Sequence, residues 1–215
     1  MQEEIIVDSI VKSDLKILAS KRLYFLIHKP YGILSQFSDE HGNPGLGTLY
    51  DLPKDVYPVG RLDKESEGLL ILTNDRTLNH EILDPEKKHE KTYWAEVEGI
   101  PDENALEALQ KGVEISVGSS RQITSPASVQ LLANPGLEER EPPVNRKKHP
   151  VTHWIELKLI EGKNRQVRKM TAKVGHPTLR LIRVAIEEVS LFPLKPGQIT
   201  QIAPKPLFKK LKIVQ

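Results

Sequence analysis

Apolar positions in this chain come in many short runs, with only two stretches of helical period. Leu23-Tyr24-Phe25-Leu26-Ile27 is an unbroken apolar run that reads as a buried strand. It ends at Lys29-Pro30-Tyr31-Gly32, a Pro/Gly turn. Val56–Val59 leads into a polar turn, Gly60-Arg61-Leu62-Asp63-Lys64-Glu65-Ser66-Glu67-Gly68, and a second apolar run follows at Leu69-Leu70-Ile71-Leu72. Lys91–Glu98 alternates around Tyr93, Ala95 and Val97, and His153–Ile160 sets Trp154, Glu156 and Lys158 against Ile155, Leu157 and Leu159. Both have the period of a half-buried strand. Val113–Val117, Ala127–Leu132, Leu179–Ile186 and shorter segments after it also read as strands, and Asn79–Leu83 as one or two helical turns.

The helical stretches carry their own punctuation. Pro101 opens one, with Asp102 and Glu103 in the first turn and Gly112 as the stop. The other runs from Asn164 to Val174 and stops at Gly175. On it Val167, Met170 and Val174 make the apolar stripe, while Arg165, Lys169 and Lys173 fall together opposite. Arg168 lies on the flank between them, where a half-buried guanidinium needs a partner and a carboxylate is the strongest available. Ser38–Gly47 and residues 134–150 read as loops, and the second is long enough to suggest a functional role or disorder. Many strands and few helices, without regular βα alternation, predict an α+β fold with a mixed, mostly antiparallel sheet.

Composition narrows the function classes. The chain has 215 residues, 38% of them hydrophobic, and no Cys. Thiolate chemistry and disulfides are therefore excluded, and no apolar run approaches the roughly 20 residues of a spanning helix. The acidic N-terminus is not a secretory signal, so a cytoplasmic protein is expected. Net charge is only +2, yet from Pro143 onward there are 16 Lys+Arg against 4 Asp+Glu, leaving 15 against 25 in the rest. That asymmetry points to a polyanion-binding surface or to two parts that neutralise each other. The seven His residues include no HExxH or comparable metal spacing, so neither metal nor cofactor is expected.

Chemistry concentrates at Asp63. A carboxylate on a polar turn between two strands is a displayed, rigidly held group. By local sequence alone, a turn or cap residue is the commoner reading of such an Asp. Arg61 fits either a surface pair with a nearby acid or a site residue. Tyr93 and Trp94 point to opposite faces of their strand, so one of them can face a cleft and stack on a base.

Four blocks then carry a resemblance: His28-Lys29-Pro30-Tyr31-Gly32, the Asp63 turn, Lys91-Thr92-Tyr93, and Glu161-Gly162-Lys163-Asn164-Arg165-Gln166-Val167-Arg168-Lys169-Met170. In this order they resemble the RsuA-like family of pseudouridine synthases, most closely the branch typified by the large-subunit rRNA pseudouridine synthase E. The resemblance implies two lobes around a central catalytic cleft, and cofactor-free isomerisation of uridine in 23S ribosomal RNA; for an enzyme whose partner is a large RNA, a monomer is the default. It casts Asp63 as the catalytic carboxylate, attacking covalently or assisting departure and proton removal at the sugar. Arg168 holds that carboxylate ionised and aimed. Tyr93 stacks on the uracil and is a candidate proton acceptor, Leu181 floors the pocket, and Arg61 holds the space a flipped base leaves. Arg146, Lys147, Lys148, Arg165, Lys169 and Lys173 are candidate phosphate contacts, with Lys205, Lys209, Lys210 and Lys212 behind them.

Two departures from the family pattern stand out. Many members carry an extra N-terminal RNA-binding module, whereas residues 1–21 here read as a tail, with residues 22–215 as the catalytic domain. Lys163 and Lys169 stand where Arg is frequent, which keeps the charge and loses the fork. The rival class is a non-catalytic RNA-binding protein using the basic C-terminal third; it would tolerate Asp63→Asn. A carboxylate glycosidase would need a second, well-placed acid.

Overall fold

The computed structural model describes residues 22–214, so the expected tail over residues 1–21 lies outside the described residues. The chain forms two compact units, residues 22–87 with 188–214, and residues 88–187. The first unit begins with β1 (Tyr24–Lys29), β2 (Tyr57–Pro58), β3 (Glu67–Thr73) and α1 (Arg76–Leu83). The second contains β4 (Lys91–Glu98), α2 (Glu103–Lys111), β5 (Glu114–Val117), β6 (Ser120–Ile123), β7 (Ser128–Leu132), β8 (Thr152–Leu159), α3 (Gln166–Lys173) and β9 (Thr178–Ile186). The chain then returns to the first unit for β10 (Val189–Ser190), β11 (Ile199–Gln201) and α4 (Pro204–Lys210). The fold is α+β, and the strand pairings within each unit are antiparallel.

In the first unit β1 lies between β11 and β3, with Ile27 opposite Leu70 and Lys29 opposite Gly68. All six residues of β1 and all seven of β3 are buried. Strands covered on both faces read as continuous apolar runs instead of alternating ones, which is why both stood out in the sequence. Asp75 caps α1, accepting from the Thr77 and Leu78 N–H groups, and also accepts from the Tyr24 hydroxyl at 2.7 Å. Burial, first, and this bond to Asp75 push the Tyr24 phenol up to about 12, so it stays a donor.

The second unit is a four-stranded sheet in the order β9-β4-β8-β7, with β5 and β6 as a separate hairpin. One face is apolar. Ala95, Val97, Ile155, Leu157 and Leu181 pack there with Leu109 of α2 and Val167 and Met170 of α3. Each fully buried aliphatic side chain contributes about 1.5–3 kcal/mol. The opposite face mixes apolar residues, Trp154 and Ile182, with polar contacts: Trp94 Nε1 donates to Glu156 at 3.0 Å, and Gln130 donates to the other Glu156 oxygen at 3.2 Å. The α2 boundaries follow their signals, with the Asp102 carboxylate capping Ala105 N–H at 2.8 Å and Gly112 ending the helix at φ +97°.

Two expectations needed revision, and one strand had gone unread. The second helix is shorter than its pattern, because Arg165 leaves it as a left-handed N-cap at φ +53°. The segments after Ile186 include a helix, α4, as well as short strands. Its prolines, Pro204 and Pro206, sit in the first turn, where a missing N–H costs nothing. The hairpin strand β6 carried no alternation, since all four of its residues are exposed.

Candidate active site

In the first unit the Asp63 turn enters β3. Asp63 is half-buried, Arg61 is exposed, and Leu62 between them is buried. The turn closes on itself, with the Ser66 N–H donating to the Asp63 carbonyl at 3.0 Å. The remaining restraints reach it from the segment after β1. The Gly32 N–H donates to the Lys64 carbonyl at 2.9 Å. Lys29, fully buried, directs Nζ to the carbonyls of Ile33 at 2.7 Å, Pro30 at 3.0 Å and Lys64 at 3.5 Å. Ser35 bonds both backbone groups of Leu62. The Lys64 side chain reaches back to Asn43 Oδ1. Gly32 holds φ at +83°, in the left-handed region where a side chain would be strained.

Backbone groups on both sides of Asp63 are thus bonded. An open groove in the same unit, lined by Asp55, Tyr57, Asn74, Arg76, His80 and Leu83, lies at the far end of β3. Three of its carboxylates, Asp55, Asp75 and Asp84, face one Arg, a poor lining for phosphate.

The second unit gathers Tyr93, Leu181 and the helix that carries Arg168. Tyr93 is half-buried and packs against the apolar cluster to which Leu181, Val167 and Met170 belong. Tyr93 is opposite Leu157 on one side and Arg183 on the other, with a register shift between Thr92 and Tyr93. Arg168 is half-buried as its flank position predicts, and its Nη1 donates to the Thr178 carbonyl at 3.2 Å.

The entry to α3 is held by one carboxylate. Glu161 accepts from the Ser125 N–H at 2.9 Å and its hydroxyl at 3.1 Å, from Gln166 Nε2 and from Lys163 Nζ. Burial would push the Glu161 carboxyl up, but the bonds from Lys163, Ser125 and Gln166 outweigh it and hold the group below its ordinary value.

The candidate phosphate contacts separate into kinds. Lys147, Lys148, Arg165 and Lys173 are exposed, and Lys169 is half-buried with Nζ 3.3 Å from Asn164 Oδ1. Arg146 has a structural task that its sequence position did not reveal. It forms a two-pronged pair with Glu96, a carboxylate only 1% exposed, and also donates to Thr152 Oγ1 at 3.1 Å. The bond to Glu96 raises the Arg146 pKa. Residues missed by sequence reasoning are Ser35 and the side chain of Lys29 as restraints on the Asp63 turn. Their only signal was proximity to the His28–Gly32 block. Among the described residues no group of His, Asp and Glu is placed to hold a metal, and no helix is long and apolar enough to cross a membrane.

The chain is similar to known proteins over most of its length. The family model described as RNA pseudouridylate synthase matches residues 23–173. "Ribosomal large subunit pseudouridine synthase E" of Xanthomonas campestris pv. campestris is 52% identical over 176 residues, covering 80% of this chain and 91% of that protein. The protein of the same name from Vibrio parahaemolyticus serotype O3:K6 is 46% identical over 181 residues, covering 84% and 74%. Among solved structures, a crystal structure of a pseudouridylate synthase matches at TM-score 0.72 and 26% identity, covering 89% of this chain and 74% of that one.

Proposed function

The chain belongs to the RNA pseudouridylate synthase family, and on that premise we propose that it isomerises a uridine of large-subunit ribosomal RNA with Asp63 as the reacting carboxylate. The observation that carries the substrate is its likeness, over most of both chains, to relatives named for the large ribosomal subunit.

The reaction balances without any external reagent. The bond from the sugar carbon C1′ to uracil N1 breaks, the base turns, and a bond from C1′ to C5 forms. The proton on C5 leaves and N1 ends protonated, so product and substrate have the same atoms. In this reading Asp63 acts at the sugar, by attacking C1′ or by assisting departure and removing a proton there. The restraint on both sides of Asp63 supports it, since orientation is worth most when the reacting group is held before substrate arrives. Arg168 serves as the cationic partner that keeps that carboxylate charged and aimed. Tyr93 stacks on the uracil, and Leu181 backs it through the apolar cluster. Arg61, exposed on the same turn, holds the space that the flipped nucleotide leaves.

Lys147, Lys148, Arg165, Lys169 and Lys173 contact phosphates, supplying affinity that falls with salt. Arg146 joins them only through the part of its guanidinium not engaged by Glu96. The enzyme acts as a monomer in the cytoplasm, where its partner is the ribosomal RNA. Mapping pseudouridines in large-subunit RNA with and without this protein tests the substrate. One uridine should lose its modification when the protein is absent and regain it when the protein is restored. An unchanged map at every position would overturn the assignment.

A further inference from the structure

Ser35 stands apart from the other restraints on the Asp63 turn because one hydroxyl serves both backbone groups of a single residue. Its Oγ donates to the Leu62 carbonyl at 2.7 Å and accepts from the Leu62 N–H at 2.9 Å. A serine hydroxyl has one donor and two acceptor positions, so both bonds form at once. Two opposed bonds to one residue's N–H and C=O act as an antiparallel partner strand does, fixing that residue's φ and ψ together. Ser35 is 2% exposed and Leu62 7% exposed, so water does not substitute readily at either end.

Leu62 is the residue immediately before Asp63. On the other side the Asp63 carbonyl is bonded by Ser66 and the Lys64 carbonyl by Gly32. Without Ser35, the described restraints on the turn's backbone fall after the Asp63 Cα. With it, the chain is fixed on both sides, and the direction of the Asp63 Cα–Cβ bond is set.

We propose that Ser35 is a positioning residue for Asp63: through its paired bonds to Leu62 it aims the carboxylate at the reacting sugar. This rests on the reading of Asp63 given above. It assigns Ser35 a role in the chemical step and none in RNA affinity, because its hydroxyl is turned inward and spent on Leu62.

The test compares Ser35→Ala, Ser35→Cys and Ser35→Thr with wild type and Asp63→Asn, using a ribosomal RNA fragment that contains the modified uridine. Melting temperature, RNA affinity, KM and kcat are read for each. Ala removes the hydroxyl, Cys keeps the volume with a weak hydrogen-bonding group, and Thr restores the hydroxyl. Misplacing a reacting group by about 1 Å costs roughly 100-fold. The expected result is a kcat lowered about 10- to 100-fold in Ala and Cys, with KM and RNA affinity kept near wild type. Thr should recover most of the rate. If Ala does not fold, the Cys variant carries the comparison.

A folded Ala or Cys variant with wild-type kcat, beside an inactive Asp63→Asn, overturns the role of Ser35 alone. Loss spread equally over affinity and rate, or no recovery by Thr in a folded variant, also overturns it. An active Asp63→Asn would instead overturn the reading of Asp63 itself, whatever Ser35 does.

Discussion

The Asp63 turn and the entry to α3 are both irregular segments, yet they are held by largely opposite means. The turn is gripped mainly by donors, with the Ser35 oxygen also accepting from the Leu62 N–H. Ser35, Gly32 and Lys29 direct O–H and N–H groups at backbone carbonyls of Leu62, Lys64 and their neighbours. The helix entry is gripped by an acceptor, the Glu161 carboxylate, which collects donors from Ser125, Lys163 and Gln166. A donor grip on backbone carbonyls does not depend on a turn carboxylate staying charged. The acceptor grip depends on Glu161 remaining charged, so the two segments should respond differently to acid.

The largest effect is expected from Lys29→Met. It takes Nζ from the part-buried carbonyls of Ile33 and Pro30, at about 1–3 kcal/mol for each group left unsatisfied, while the Lys64 carbonyl keeps the Gly32 N–H. A loss of about 3 kcal/mol or more in denaturant unfolding, together with product formation, would mark the turn as the more costly of the two to release. Unfolding unchanged within error would show that the ammonium is dispensable.

Glu161→Ala should come next, at about 2–3 kcal/mol, because Ser125 and Gln166 donors lose their acceptor. Its pH behaviour gives the sharper contrast. The folded-state pKa of Glu161 is depressed, so its contribution is present above the unfolded carboxylate value, about 4.3. It is lost as pH falls through the folded pKa. Wild type should therefore lose stability over that acid range, and Glu161→Ala should lose less. Parallel curves for the two proteins would contradict the acceptor-grip description.

Arg146→Ala is expected to be smaller, about 1–2 kcal/mol, since the guanidinium is half exposed and Glu96 keeps the Thr152 hydroxyl. Lys147→Ala and Lys148→Ala should instead leave unfolding unchanged and lower the salt dependence of RNA binding. If all three variants behaved alike, the separation of Arg146 from its neighbours would be wrong.

Legibility in the sequence followed the range of the interactions involved. The α2 helix was legible from Pro101, Asp102 and Gly112 because capping is local. β4, β8 and β9 were legible because one face of their sheet is apolar. Asp63 was legible as a polar turn between apolar runs. Ser35 was not, because it meets Leu62 across 27 positions, and neither was the pairing of Arg146 with Glu96 across 50. Arg165 was placed on the helix by period alone, whereas its backbone turns left-handed just before the first helical residue. The helix α4 was obscured by two prolines whose position in the first turn makes them harmless.

Single-turnover conversion of the ribosomal RNA fragment by Asp63→Asn tests the central claim most directly, because this substitution removes one reactive oxygen and leaves the gripped backbone intact. The account predicts that RNA affinity stays near wild type while pseudouridine formation falls at least about 1,000-fold. Conversion at the wild-type rate by the folded variant would contradict it.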